Sequence, residues 1–364
     1  MKSCKITSFD DVTLLATFAS LRFPLIVLVV LCHSFMEEVM GNAEVACFTN
    51  TTFVLSRIIA NVAVPNFLLI SGYLFFRNTE SFSLRLYGEK LQRRVRSILV
   101  PYLFWNGVVI LLFFVGQSVV PGLFSGNNAR VCDYTPIEWV RAFWRVEGTM
   151  SPINAPLWYM RNLMVAVLLS PLLYVLLKNR AVGAVFIAAM LALWLFVPSI
   201  EREVVWLQPK FYFFFSLGGW FALHKVPFPR FRPMAVAIGV ALFVLAIAGV
   251  FFYRGRVAFL AYELSLLVGA LLLIYCAYHI VATKHWSVPS WLNQSYFFIF
   301  VYHFIPLALL QRLALRFLKP ATNVEYFVVY FASFAAIVLL GVGLFHLLKR
   351  LFPKFMAFIL GSRA

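Results

Sequence analysis

Residues 20–35 of the chain read SLRFPLIVLVVLCHSF, a long apolar run that contains one arginine and one histidine. A helix needs about 20 mostly apolar residues to cross a bilayer, and this run with its flanks meets that length. Arg22 and His33 are 11 positions apart. That is close to three helical turns, so the two side chains share a helix face about 16 Å apart along the axis. The stretch therefore predicts a membrane-spanning helix with polar side chains at two depths.

The composition of the chain extends this prediction to its full length. Hydrophobic residues make up 63% of the 364 residues and charged residues only 12%. A soluble domain carries roughly twice that charged fraction. Apolar runs near 18–37, 53–76, 97–116, 157–178, 183–198, 208–224, 234–252, 258–280, 292–311 and 324–348 predict membrane spans. We expect an all-α integral membrane protein in which about ten transmembrane helices form a single domain over residues 1–364.

The net charge of +17 is the second compositional feature. It invites a nucleic-acid function, but the basic residues lie in short loops between spans, where the positive-inside rule explains them. If the N-terminus is cytoplasmic, the inner segments hold 18 basic and 4 acidic residues, against 11 and 9 outside. We therefore expect both termini in the cytoplasm, a multi-pass protein of the inner (cytoplasmic) membrane, and no nucleic-acid partner.

The polar pair of the first span has two kinds of explanation. Taken singly, Arg22 is explained by snorkelling to the headgroups, and His33 by a hydrogen bond that joins two helices. Their shared face favours a common role. An arginine at the inner surface suits the phosphates of a cytoplasmic donor, and a histidine deeper in the membrane can act as a base near neutral pH. This geometry would suit a cytoplasmic acyl donor and an external acceptor, but the pair by itself leaves packing and function equally open.

Several segments resemble the membrane acyltransferase-3 family, in order along the chain. They are the arginine and histidine of the first span, Val64–Tyr73, Arg93–Arg96 followed by Pro101-Tyr102, Pro156–Leu163 with Ser170-Pro171-Leu172, and Tyr296–His303. Asn66 departs from the family pattern, in which an aromatic residue is expected. The resemblance implies a ten-helix O-acetyltransferase that moves an acetyl or other acyl group from cytoplasmic acyl-coenzyme A to extracytoplasmic acceptors, often sugar hydroxyls.

The resemblance also implies roles for individual residues. His33 would be the catalytic residue, and Arg22, Arg93 and Arg96 would bind the phosphates of acetyl-coenzyme A. For Arg93 and Arg96, plain positive-inside anchoring is the alternative, since Lys90 and Arg94 share the cluster, and it would be favoured without the resemblance. The implied partners are the acyl donor, a glycan or lipid-linked sugar, and membrane lipid, and no metal is expected.

Four further residues are candidates for contact with the acceptor. Trp158, Arg161, His303 and Asn66 are predicted to bind it. Arg161 has the alternative of satisfying backbone carbonyls, and His303 has the alternative of a structural role.

Glu263, near the outer end of the eighth predicted span, is the second catalytic candidate. An isolated carboxylate within a membrane needs a partner or a cavity. It either orients His33 or contacts the acceptor, or it forms a structural pair with Arg254, Arg256 or Arg161.

Three alternatives stay open at the level of sequence. The rival function is a glycan exporter or small-molecule transporter of the same fold, although no inverted repeat favours transport. Acyl transfer is compatible with a direct route or with an acyl-histidine intermediate. Cys47 and Cys132, in two segments predicted to be external, either form a disulfide or remain free thiols.

Overall fold

The computed structural model describes residues 7–79, 81–124, 130–200 and 204–361, and within them it is all-helical, without β-strands. The main helices are α1 (Thr7–His33), α2 (Ala43–Phe76), α3 (Leu84–Val119), α4 (Ala155–Leu168), α5 (Ser170–Leu177), α6 (Arg180–Phe196), α7 (Pro209–Leu223), α8 (Pro233–Phe252), α9 (Gly255–Lys284), α10 (Ser290–Tyr302), α11 (Phe304–Leu318) and α12 (Asn323–Leu351). Shorter helices are Pro121–Phe124, Pro136–Ala142 and Pro353–Ile359.

The lengths of these helices confirm the predicted fold class. In the described ranges, six helices (α1, α2, α3, α8, α9 and α12) are long and apolar enough to cross a membrane. The number rises to eight if each of the bent pairs α4–α5 and α10–α11 is one span. Helices α6 and α7 have 17 and 15 residues, fewer than the roughly 20 that a straight crossing needs. The protein is thus a multi-pass membrane protein, while the count of about ten and the side of the termini stay predictions.

The bend between α4 and α5 follows from a proline. The two helices meet at 68°. Pro171 has no N–H to donate to the carbonyl four residues earlier, which belongs to Val167. The Ser170 hydroxyl donates to that carbonyl at 2.7 Å instead. The break therefore leaves no orphaned acceptor at this position, as apolar surroundings require.

The bend between α10 and α11 is the sharper of the two, at 71°. His303 lies at the junction and Pro306 lies in the first turn of α11. The side-chain amide of Asn154 donates to the carbonyl of Val301 at 3.2 Å, which ties the break to the segment before α4. The junction is thus held by the surrounding protein rather than by its own helix alone.

Helix α1 lies at the centre of the bundle, and side chains from other helices fix it along its length. Leu25, Ile26 and Val30 on its sides are fully buried. Two of its backbone carbonyls accept hydrogen bonds from distant residues: Ala19 from Asn293 at 2.7 Å and Leu31 from Ser56 at 2.7 Å. The carbonyl of Ser34, just after the helix, accepts one from Gln311 at 2.8 Å. These bonds fix the position of α1 along its axis and its rotation about that axis.

The packing of α2 against α7 depends on two glycines. A Cβ atom built on Gly72 would lie 1.8 Å from the carbonyl oxygen of Phe215, and one on Gly218 would lie 2.0 Å from that of Leu69. No side chain fits either position, and small residues allow membrane helices to approach this closely. Gly72 therefore serves helix packing, which turns its neighbour Ser71 toward the cavity described next.

Candidate functional site

One face of α1 lines a cavity of about 260 Å³. Arg22, Ile26, Val29 and His33 form the stripe, at intervals of three or four residues that match the helical repeat. The structure therefore confirms that the arginine and the histidine share a face. They stand at separate positions on the wall of the same cavity.

The remaining walls come from four other helices. These lining residues are Val64, Phe67, Ile70, Ser71 and Leu74 of α2, Arg94 and Ile98 of α3, Pro156, Trp158, Tyr159, Met160 and Leu163 of α4, and Tyr296, Phe297 and Phe300 of α10. Most of this lining is apolar or aromatic, with a few polar groups, which is the usual chemistry of a ligand cavity.

Two arginines line the cavity. The guanidinium of Arg22 lies 5.7 Å from the centre of the Tyr296 ring, and among the described residues it has no carboxylate at ion-pair distance. Arg94 contributes a second guanidinium, whose carbon lies 5.8 Å from the centre of the Phe75 ring. Two guanidinium groups lining one cavity suit an anionic ligand such as a phosphate.

The predicted donor-binding residues Arg93 and Arg96 are placed differently. Both are exposed, neither belongs to the cavity wall among the described residues, and Arg93 lies 3.9 Å from the carboxylate of Glu89. Arg94, which the sequence analysis passed over, is the arginine of this cluster that reaches the cavity. Ile98 follows Arg94 by one helical turn and also lines the cavity, but nothing in the sequence indicates that this face of the helix turns toward it.

A polar pair interrupts the apolar wall between α2 and α4. The hydroxyls of Ser71 and Tyr159 lie 2.7 Å apart, and the tyrosine hydroxyl also donates to the carbonyl of Phe67 at 3.2 Å. Trp158, predicted to bind the acceptor, does line the cavity. These groups give the cavity hydrogen-bonding capacity away from its arginines.

At the His33 position, two imidazoles lie side by side. The ring centroids of His33 and His303 are 5.3 Å apart, and Phe304 packs edge-on against His33 at 5.2 Å. His303 is fully buried, and its Nδ1 lies 3.0 and 2.9 Å from the carbonyl oxygens of Ile299 and Phe300. His303 is thus near the predicted base but is not part of the described cavity wall.

Arg161 is fully buried and fully engaged. Its guanidinium donates to the backbone carbonyls of Trp144, Met150 and Val205 and to the side chain of Asn162, with distances to the last three of 3.0–3.2 Å. These bonds match the structural alternative, in which Arg161 satisfies backbone carbonyls. They connect its helix to segments that are distant in sequence. Arg161 is not among the residues of the described cavity wall.

Glu263 and Asn66 also lie away from the cavity wall as the structure describes it. The carboxylate of Glu263 pairs with Lys210, whose Nζ lies 2.8 Å from Oε2 and 3.1 Å from Oε1. A structural ion pair was among the alternatives, but the expected arginine partners were wrong. Asn66 is buried and donates to the carbonyl of Val62 at 2.9 Å, within its own helix.

Cys47 and Cys132 are both exposed free thiols in the structure. The structure thus has the second of the two alternatives, free thiols, and has no disulfide between Cys47 and Cys132.

Comparison with known proteins gives two results. Residues 18–346 match a family model described as an acyltransferase domain, the acyltransferase-3 family. The chain is also 29% identical over 318 residues to the succinoglycan biosynthesis protein ExoH of Rhizobium meliloti (strain 1021), which covers 85% of this chain and 81% of the relative. No solved structure matches the chain. Because the family match covers most of its length, the chain belongs to the membrane acyltransferase-3 family.

Proposed function

We propose that the protein is a membrane O-acyltransferase that moves an acetyl, or another short acyl, group from cytoplasmic acyl-coenzyme A to a hydroxyl of an extracytoplasmic or lipid-linked glycan. The observation that carries the proposal is the shared cavity, which has Arg22 and Arg94 on its wall together with His33.

The donor fits the cavity by charge and by length. The phosphates of coenzyme A bind the two arginines, and the pantetheine arm runs along the apolar stripe of Ile26 and Val29. Arg22 and His33 stand about 16 Å apart along the axis of α1, a separation of the order of that extended arm. The thioester then reaches His33, and the arm's amides lie within reach of the hydroxyls of Ser71 and Tyr159.

The chemistry needs one base. A neutral imidazole at His33 accepts the proton of the acceptor hydroxyl while the hydroxyl oxygen attacks the thioester carbonyl. The carbon–sulfur bond breaks, the ester forms, and the proton passes from His33 to the departing thiolate of coenzyme A. This direct route needs no acyl-histidine.

A sugar hydroxyl is the proposed acceptor. The relative from Rhizobium meliloti is named for the biosynthesis of a polysaccharide, succinoglycan. Trp158 on the cavity wall supports the same class of acceptor, because an aromatic face suits a sugar ring.

The decisive experiment compares acyl incorporation into envelope glycans, by mass spectrometry, in cells that lack the gene and carry matched levels of each variant. His33→Ala should lower incorporation by roughly 100-fold or more, the scale of a lost general base. His346→Ala, which removes a histidine outside the cavity wall, is the matched control and should retain activity. Full incorporation with His33→Ala would contradict the assignment.

Donor binding separates this proposal from the exporter. Acetyl-coenzyme A should raise the melting temperature of the purified protein, because a ligand that binds only the folded state stabilises it. An exporter without acyl transfer predicts no such shift.

A further inference from the structure

His303 is a second imidazole beside the base, and the proposed reaction leaves it without a role. It is fully buried, at the break between α10 and α11, with its ring centroid 5.3 Å from that of His33 and the two planes tilted by 46°. A buried polar side chain at a broken helix is costly in a membrane and points to a function.

The hydrogen bonds of His303 determine its tautomer. The oxygens of Ile299 and Phe300 that contact Nδ1 belong to backbone carbonyls, which can only accept. Nδ1 therefore carries the hydrogen, and in the neutral ring Nε2 is an unprotonated acceptor. Nε2 is buried and has no hydrogen-bond partner in the described part of the chain. An unpaired buried acceptor of this kind requires an explanation.

The backbone around both rings is held in place. Gln311 of α11 donates to the carbonyl of Ser34, directly after His33, and Asn154 donates to the carbonyl of Val301, two residues before His303. Phe304 packs against the edge of the His33 ring. The backbone that carries the two imidazoles is thus held in place, as a positioned base and its partner require.

We propose that His303 is a positioning residue for His33: rotation of the adjacent His33 ring lets it donate a hydrogen bond to Nε2 of His303, a bond that is not formed in this structure. This inference rests on the proposed function of His33. The bond turns the opposite, unprotonated nitrogen of His33 toward the cavity, where it takes the proton of the acceptor hydroxyl. One N–H of the resulting His33 imidazolium stays hydrogen-bonded to Nε2 of His303. The proton on the opposite nitrogen, which came from the acceptor hydroxyl, then passes to the thiolate of coenzyme A. His303 itself neither gains nor loses a proton.

Two substitutions of similar size separate this role from a structural one. In His303→Asn the side-chain amide replaces Nδ1, so the bonds to the helix carbonyls remain while the acceptor toward His33 is lost. In His303→Gln the side-chain amide replaces Nε2, so an acceptor remains while the carbonyl bonds are lost. We expect His303→Asn to lower kcat by roughly 10- to 100-fold, the size of a lost hydrogen bond to a charged group, with KM for donor and acceptor unchanged. His303→Gln should restore most of kcat.

The reverse order, with His303→Asn active and His303→Gln impaired, would overturn the proposal and assign His303 to helix structure. A physical readout keeps the test independent of the reaction. Nitrogen-15 NMR of the histidine rings, with the His303 signal identified by its loss in His303→Gln, should show a protonated Nδ1 and an unprotonated Nε2. The opposite tautomer would overturn the proposal even if transfer occurs. Failure of the proposed function is recognised separately, by full activity of His33→Ala.

Discussion

Arg22 and Arg161 are both arginines within or at the edge of apolar helices, but the structure gives them opposite surroundings. Arg161 is fully buried, and backbone carbonyls and one amide side chain engage its guanidinium. Arg22 is partly exposed and lines the cavity, its guanidinium lies over the ring of Tyr296, and it has no carboxylate at ion-pair distance among the described residues. A guanidinium whose donors are already used holds the protein together, whereas one whose donors are available can bind a ligand.

Of the substitutions that test this comparison, Arg161→Met should have the largest effect, a loss of folding stability. Methionine retains the volume but leaves the carbonyls of Trp144, Met150 and Val205 without their donor. Each buried acceptor left unpaired costs about 1–3 kcal/mol, so the variant should lose much of its folded population. Thermal unfolding in detergent and the yield of monodisperse protein measure this loss. A variant as stable as the wild type would remove the structural assignment.

Arg22→Ala should show the opposite behaviour, with unchanged stability and weakened donor binding. The side chain makes no ion pair among the described residues, so its removal leaves no partner unsatisfied. One charge-assisted contact to a phosphate is worth about 1.5–3 kcal/mol, which is roughly a 10- to 100-fold rise in KM for acyl-coenzyme A. Donor saturation curves measure KM, and the melting temperature without ligand is the control. An unchanged KM would argue against donor binding at Arg22.

The sequence predicted the shared face of Arg22 and His33 correctly because that relation is local. Eleven residues of one helix fix the relative direction of two side chains, whatever surrounds them. The partners of Arg161 and Glu263 are not local in this sense. Val205 is 44 residues from Arg161, and Lys210 is 53 residues from Glu263. Such contacts depend on how helices pack, and an arginine in a span gives no indication of which carbonyls lie nearby.

The arginine cluster of α3 shows a second limit, which is the rotation of a helix. The motif resemblance pointed to Arg93 and Arg96, but successive residues of a helix point about 100° apart. A π-helical segment, Val95–Leu99, follows directly and changes the register of the helix at this point. Only the packing of α3 against the rest of the bundle decides that Arg94 reaches the cavity. The sequence pattern identified the arginine cluster but not which of its side chains faces the cavity.

Glu263→Gln should have an intermediate effect and tests whether this carboxylate is catalytic. The substitution leaves the ammonium of Lys210 without its counter-charge, in a pair whose lysine side chain is 24% exposed. Partial exposure reduces the penalty, so we expect a loss of about 1–2 kcal/mol in unfolding free energy. The double variant Lys210→Met with Glu263→Leu removes both charges and should recover most of it. Retained kcat in the double variant would exclude a catalytic role, and a kcat lowered to the level of His33→Ala would establish one.

Arg94→Ala should have the smallest of these effects, a rise of roughly 3- to 10-fold in KM for acyl-coenzyme A, because Arg22 still supplies a guanidinium to the same cavity. Arg93→Ala and Arg96→Ala are matched controls, since each removes the same charge from the same cluster at an exposed position. Their KM should stay within about twofold of the wild type, because a surface charge contributes little to a site it does not contact. Equal losses in all three variants would mean that the cluster acts by its total charge. A loss confined to Arg93 and Arg96 would mean that the motif, rather than the cavity wall, identifies the donor-binding arginines.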